Sequence, residues 1–218
     1  MRDYIAQFML NTPPGTNARM DLAKMLAKID LLETLAGSSF RVFRQVRGGL
    51  SSFPPQPDLA KGHLAYTTTL GMALRPQIVH VVGYCEGLHL AGPDEVTESC
   101  GIVRGVIRSA LDGLPDPTKD EVVQTRRRRL REEARLLIEA IKGLGAARVE
   151  DPLTDPETLA AAVVLGFLDA PHLKGNPSAH GGVVTRLADG ACLAVDPKTG
   201  RPLPEARRLV ALSARVHG

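Results

Sequence analysis

The chain has 218 residues, a formal net charge of +3, 44% hydrophobic residues and only 4% aromatic residues. This length and hydrophobic content allow one domain, or one domain with an appendage, around a sizeable core. The small net charge and the few aromatic side chains argue against a nucleic-acid partner. Three widely spaced cysteines fit neither a disulfide framework nor a metal site. No apolar run is long enough for a membrane span, and residues 1–5 lack a signal-peptide pattern, so we expect a cytoplasmic protein.

Short apolar runs alternate with longer amphipathic segments over residues 1–112. The predicted strands are residues 4–10, 40–46 and 77–83. Each is followed by a segment with helical spacing of its apolar residues, at residues 19–35, 58–74 and about 93–111. This alternation predicts βαβ units and a parallel α/β sheet. Three units are too few to close an eight-stranded barrel, which takes ~250 residues.

The second half of the chain has a different composition. A break at residues 113–117 precedes a long charged helix at 120–144 and a short helix at 157–165. Two short strands, residues 183–187 and 191–195, flank Asp189-Gly190, which is a hairpin signal. A final helix is predicted at residues 204–216. The predicted domains are therefore residues 1–112 and 113–218.

Several stretches, in one collinear order, carry a resemblance to a known family. They are FMLNTP at residues 8–13, FRQ at 43–45, Gly48-Gly49, Phe53-Pro54, MALRPQIVHVVG at 72–83, Glu86, His89, PDEV at 93–96, GFLDAP at 166–171, Asn176 and Asp189-Gly190. On these residues the chain resembles the large (epsilon) subunit of adenosylcobalamin-dependent glutamate (methylaspartate) mutase. It is more weakly similar to the large subunits of the lysine and ornithine aminomutases, which also use pyridoxal phosphate.

The resemblance implies a fold and an activity. Residues 1–112 would be the C-terminal half of a (β/α)₈, TIM-type barrel, and residues 113–218 a helical extension with a small β-hairpin and a terminal helix. The family is a group of isomerases that rearrange carbon skeletons by radical chemistry, which needs a deep, dry cavity. A barrel mouth supplies such a cavity at the carboxyl ends of its strands.

The resemblance also implies partners. The family's substrate-binding arginines and most of its cofactor contacts lie in the N-terminal half-barrel, so we expect this chain to be inactive alone. That half would come from another chain or from self-association, which an apolar inner sheet face and unpaired strand edges would favour. Asp169-x-x-His172-x-x-Gly175 is one residue too long for the cobalamin-ligating Asp-x-His-x-x-Gly box, and we interpret it as structural. A separate small cobalamin-binding subunit is therefore expected.

Three residues are the candidates for adenosylcobalamin binding. Glu86 follows the third predicted strand, and in the family the matching glutamate contacts the adenosyl ribose, a role that suits a carboxylate accepting hydroxyl donors. Phe53 matches a phenylalanine that packs on the cofactor, with Leu50 as its rival because Ser51-Ser52 shifts the register. Leu90 is the third candidate. The family has a lysine where this chain has Val82, and no catalytic residue can be assigned.

Other polar residues have simpler interpretations. His80 and His89 are lone histidines, which are weak evidence for ligation, and no metal site is predicted. The basic run at residues 126–129, with Arg131, is interpreted as a solvated helix face neutralised by nearby glutamates rather than as a nucleic-acid site.

Three hypotheses for the chain stay open at this point. It is one piece of a split mutase, a non-catalytic scaffold or binding remnant of that family, or a truncated form of a longer enzyme. A cobalamin- and pyridoxal-phosphate-dependent aminomutase subunit is the further alternative.

Overall fold

The computed structural model describes residues 2–216, which divide into two compact units after Arg128. Unit 1 contains three strands, β1 (Asp3–Leu10), β2 (Arg41–Gly48) and β3 (Ile78–Val79), and the helices α1 (Ala18–Glu33), α2 (Pro57–Met72) and α3 (Pro93–Asp112). Helix α4 (Glu121–Gly145) contains the division. Unit 2 adds α5 (Pro156–Val164), β4 (Val184–Ala188), β5 (Ala191–Val195) and α6 (Glu205–Val216).

The strands of unit 1 form a parallel sheet in the order β1-β2-β3. β1 pairs with β2 along its whole length, from Asp3 opposite Arg41 to Leu10 opposite Gly48. The prediction of three parallel strands, each followed by a helix, is confirmed. β3 is shorter than predicted, because its ladder with β2 holds only Ile78 and Val79 before the chain turns away.

Both crossover helices pack on the same face of this sheet. Alternate residues of β1, namely Ala6, Phe8 and Leu10, form one buried cluster with side chains from both helices. The α1 contribution includes Leu22, Met25 and Ile29, and the α2 side contributes Leu70 and Leu74. α3 packs beside α2 through a second cluster, in which Val103 meets Leu64 and Ala60. Helices on one face are what right-handed crossovers give when the strand order follows the chain order.

Within unit 1, no described residue packs over the centre of the opposite face of the sheet. Ile5, at the centre of β1, is 53% exposed. Gln45 of β2 donates a hydrogen bond to Gln7 of β1 at 3.0 Å, and its amide nitrogen lies 3.4 Å from His80 Nδ1. This polar row runs from β1 across β2 to the residue after β3, so the prediction of an apolar inner face is wrong at this level of the sheet. We call this surface the uncovered face.

Unit 2 has its own core and hairpin. Ile141, Ala162, Phe167, Leu209 and Leu212 are buried together. β4 and β5 pair antiparallel, as predicted, around a turn in which Asp189 and Gly190 both have positive φ (52° and 73°). A two-residue turn of this type needs left-handed backbone at both positions, which Gly adopts freely and Asp tolerates.

The fold is therefore α/β, with a three-stranded parallel sheet, surrounding helices and a two-stranded hairpin, and residues 2–216 contain no closed barrel. Within the same residues, no helix combines the length and apolarity that crossing a membrane would require.

Candidate functional site

The loops that follow β1, β2 and β3 meet at the carboxyl edge of the sheet. The backbone N–H of Gly49, after β2, donates to the carbonyl of Leu10 at 2.8 Å, and the Ser52 hydroxyl donates to the carbonyl of Asn11. A Cβ at Gly87, after β3, would lie 3.1 Å from Phe53 Cβ. Phe53 and the loop of Glu86 are thus brought into contact, and all three loops form one surface.

Glu86 holds its own loop. Its Oε1 accepts the backbone N–H of Gly83 at 2.7 Å, and its own N–H donates to the Gly83 carbonyl at 3.0 Å. The side chain is half-buried, and no described residue donates a hydrogen bond to Oε2. A Cβ at Gly83 would lie only 2.7 Å from Ala91 Cβ, so glycine is needed for this close approach. Glu86 therefore has one oxygen committed to the loop and one available for a ligand.

The other predicted cofactor residues lie in different environments. Phe53 is 8% exposed, and its ring packs edge-on against His63 with centroids 4.9 Å apart. Leu50 is half-buried at the margin of the same cluster, whereas Leu90 is 92% exposed. The structure therefore does not place the three predicted cofactor residues, Glu86, Phe53 and Leu90, together on one apolar surface.

Val82 occupies a core position rather than the surface of the edge. It is 1% exposed and packs with Phe53, Leu64 and Val103. A lysine at this position would bury its ammonium among apolar side chains, which is costly without a partner. Valine at this position packs into the core and supplies no positive charge near Glu86.

An ion pair between a buried carboxylate and a half-buried lysine lies at the end of β1, and no pattern in the sequence predicted it. Asp21, in the first turn of α1, is fully buried and accepts both the Asn11 backbone N–H and Lys24 Nζ, the latter at 2.8 Å. Lys24 also donates to the Thr12 carbonyl. Burial raises the pKa of the Asp21 carboxyl, opposed by Lys24 and the Asn11 N–H. The pair fixes residues 11 and 12 against α1.

Two polar atoms of this same turn are buried without a hydrogen-bond partner among the described residues, Asn11 Oδ1 and Thr12 Oγ1. The Asn11 amide nitrogen lies 3.4 Å from His63 Nε2. Burial lowers the pKa of His63, which favours its neutral form. Unpaired buried oxygens are costly, and at a sheet's carboxyl edge they mark a place where a polar ligand or water would bind. The signal in the sequence is the pair of polar residues directly after the first strand, Asn11 and Thr12.

The two candidate histidines lie in separate places. His80 is exposed on the uncovered face, beside Gln45. His89 lies in the loop after β3, near Cys85 and Glu95. Potential ligand atoms of these three side chains all lie within 4.8 Å of one another, a grouping that the spacing of the cysteines did not reveal.

The remaining polar motifs are structural. The Asp169 carboxylate accepts the backbone N–H groups of Ala170, Gly181, Gly182 and Val183. Burial alone would raise its pKa, but these four donors hold the pKa below its usual value. The structural interpretation of the Asp169 motif is thus supported by its hydrogen bonds.

In the basic run, Arg127 binds Asp30 of α1 through two nitrogens and Arg129 pairs with Glu133 at 2.9 Å. These contacts agree with the interpretation of the run as a neutralised helix face.

A cavity of about 680 Å³ in unit 1 is not at this edge. It lies between the C-terminal ends of α2 and α3, beside Leu111 and Leu114. Helices that follow parallel strands end at the opposite, amino edge of the sheet, so this cavity is separate from the loops described above.

Comparison with models of known protein families gives no match, and a search of curated proteins finds no similar sequence. Function is therefore argued from the geometry of the carboxyl edge and from the residues that carry the resemblance.

Proposed function

We propose that this chain supplies part of a (β/α)₈-type barrel to an adenosylcobalamin-dependent carbon-skeleton mutase of the glutamate mutase type. The observation that carries the proposal is a parallel sheet in which α1 and α2 lie on one face and the strand order follows the chain order. A barrel repeats this arrangement, with one strand order and one outer face. One βαβαβ half of a doubly wound sheet has the same local arrangement, so the barrel is proposed from the sheet together with the resemblance.

The uncovered face supports the same conclusion. Parallel sheets are normally buried on both faces, and their edge strands carry unpaired backbone groups. Here one face presents Ile5 beside the Gln7–Gln45–His80 row. In a completed barrel this face is the interior, and residues facing inward near the mouth surround the reaction cavity. We propose that the remaining strands come from a partner chain or from a second copy of this one.

The carboxyl edge offers groups that fit an adenosyl ribose. Glu86 Oε2 can accept a hydroxyl while Oε1 stays on Gly83, and the buried oxygens of Asn11 and Thr12 need polar partners. The cofactor, when bound, supplies the radical chemistry. The chain's own residues orient the ribose and exclude water, Phe53 by filling the space beneath the loop.

Because the Asp169 motif is engaged with backbone N–H groups, cobalamin itself is proposed to come with a small separate subunit in a cytoplasmic complex. The alternative function is a scaffold that keeps the fold of the family but binds no cofactor. Val82 is the observation that favours it, because a valine supplies no positive charge beside Glu86.

The proposal is tested by purifying the tagged chain from its native host with the chains that accompany it. We expect the purified assembly to bind adenosylcobalamin and to interconvert glutamate and 3-methylaspartate, and the isolated chain to show no turnover. Turnover by the isolated chain would contradict the half-site argument. An assembly that forms but binds no cobalamin would support the scaffold alternative instead.

A further inference from the structure

Three side chains around the start of α3 form a cluster that the proposed mutase function does not use. Cys85 and His89 lie in the loop after β3, and Glu95 lies in the first turn of α3. One ligand atom from each lies within 4.8 Å of the other two. His89 Nε2 and Glu95 Oε1 are 3.6 Å apart.

The backbone places Cys85 and His89 on the same side of one turn. The N–H groups of Leu88 and His89 both donate to the Cys85 carbonyl, at 2.8 and 3.1 Å. Residues i and i+4 of such a turn face the same way, the spacing by which a helix presents two ligands to one metal. Glu95 is fixed because its Oε2 accepts the Gly92 N–H at 2.6 Å, leaving Oε1 toward His89.

The orientation of the His89 ring is the strongest observation in favour of a ligand site, because it turns one ring nitrogen toward Glu95. His89 Nδ1 lies 3.0 Å from the Leu90 carbonyl oxygen. A carbonyl can only accept, so Nδ1 carries a hydrogen, and Nε2 is the ring nitrogen that faces Glu95 Oε1. Nε2 and Oε1, 3.6 Å apart, are therefore the two atoms that a cation between these side chains would bind. Metal-bound histidines characteristically donate their second ring N–H to a carbonyl or carboxylate in this way.

We propose that Cys85, His89 and Glu95 form a three-ligand site for a zinc-type divalent cation. A thiolate and a carboxylate neutralise two positive charges, and sulfur, imidazole nitrogen and carboxylate oxygen are the donors that Zn²⁺ takes. Zinc bonds of ~2.0–2.3 Å need ligand atoms ~3.3–3.7 Å apart, so side-chain shifts of about 1 Å complete the site. A cavity of about 70 Å³ borders all three residues and leaves room for a water as fourth ligand.

The test uses the full chain, freed of metal with a chelator and titrated with Co²⁺, whose spectrum reports thiolate ligation. We expect one Co²⁺ per chain, a thiolate-to-cobalt charge-transfer band, and displacement by Zn²⁺. Cys85→Ser should abolish the band, and His89→Ala or Glu95→Gln should weaken binding by at least ~100-fold, beyond the 10–100-fold typical of outer-shell partners. Cys100→Ser and His80→Gln are the matched controls and should bind like the parent.

Absence of stoichiometric binding to the parent chain would overturn the proposal and leave His89 and Glu95 as an ion pair. A charge-transfer band that persists in Cys85→Ser would overturn it as well. Circular dichroism of each variant checks folding, and the exposed position of His89 makes His89→Ala decisive if Cys85→Ser unfolds. The measurement needs no cobalamin or partner chain, so its outcome is independent of the mutase proposal.

Discussion

At the scale of single residues, the two carboxylates that accept backbone N–H groups have different capacities left for function. Asp169 is engaged with four backbone donors and is fully occupied by its loop. Glu86 accepts one and retains an oxygen at the carboxyl edge. Substitution of Asp169 should therefore lower stability, and substitution of Glu86 should lower ligand affinity.

Glu86→Gln should weaken adenosylcobalamin binding by the reconstituted complex while leaving the fold intact. Glutamine keeps a carbonyl oxygen for the Gly83 N–H but loses the charge that strengthens a bond to a ribose hydroxyl. Such a bond contributes ~1.5–3 kcal/mol, so we expect a ~10- to 100-fold loss in affinity by equilibrium titration.

Glu98→Gln is the matched control for this experiment, because Glu98 is exposed on α3 and, among the ion pairs of the described residues, pairs with Lys61. Glu95 is unsuitable as a control, since its carboxylate caps Gly92. Parental affinity in Glu86→Gln would show that the role implied by the family does not apply here.

Asp169→Asn should destabilise unit 2 by about 2–3 kcal/mol, because an amide presents one acceptor and a donor where four N–H groups converge on a side chain only 1% exposed. The folded-state pKa of Asp169 is lowered, so its stabilisation is present above the unfolded pKa of ~3.9 and is lost as the pH falls through the folded value.

The contribution of the Asp169 carboxylate to stability is measured by urea unfolding. The parent and Asp169→Asn are compared at pH 7 and at stepwise lower pH. The difference in unfolding free energy should be largest at pH 7 and shrink below pH ~4. Glu150→Gln, an exposed carboxyl of the same unit, should leave stability unchanged. A difference between parent and Asp169→Asn that stays constant with pH would exclude the carboxylate as the cause.

At the scale of elements, α4 begins with a basic run whose members make different contacts. Arg127 reaches Asp30 of α1 with a bidentate hydrogen bond, and the pair is largely buried. Arg128 is exposed and donates a hydrogen bond to the Thr125 hydroxyl at 3.0 Å. Arg127 is therefore the arginine of the run that we expect to contribute to stability. A nucleic-acid surface would instead depend on exposed arginines such as Arg128.

Arg127→Ala should lower the stability of unit 1 by about 1–3 kcal/mol, because it removes a charge-assisted pair from a partly buried carboxylate. Arg128→Ala should change it by less than about 0.5 kcal/mol. Thermal or denaturant unfolding of the two variants makes the comparison. Equal effects would mean that the Arg127–Asp30 contact does not hold α4 to α1.

At the scale of the whole molecule, unit 1 has a sheet with one uncovered face and two edges. β1 and β3 each have one side without a strand partner among the described residues. Ile5 is the large apolar side chain at the centre of the face. Association through this surface buries Ile5 and gives the edge strands partners, whether the occupant is a second copy or a different chain.

Ile5→Glu should prevent that association without unfolding the chain, because its side chain lies opposite the core of unit 1. Light scattering of the purified chain, alone and with its co-purifying partners, measures the change. Leu35→Glu, at a residue 65% exposed beyond the end of α1, is the control and should associate like the parent. A parent chain that stays monomeric at high concentration and binds no partner would contradict the prediction.

The order of helices and strands, the parallel sheet and the hairpin at Asp189-Gly190 were determined by sequence alone, because each depends on local periodicity or turn chemistry. Such features need no knowledge of what packs against them. The prediction of Glu86 just beyond the third strand rested on a strand at 77–83, whereas β3 ends at Val79 and Glu86 lies in the loop that follows it.

The tertiary structure alone decided which polar residues meet. The pairing of Asp21 with Lys24 and the Asn11 N–H, the burial of Val82 and Phe53, and the polar row from Gln7 to His80 depend on which faces come together. The grouping of Cys85, His89 and Glu95 likewise required the turn after β3 to meet the first turn of α3. Contacts between segments depend on the three-dimensional packing, and spacing along the chain does not encode them.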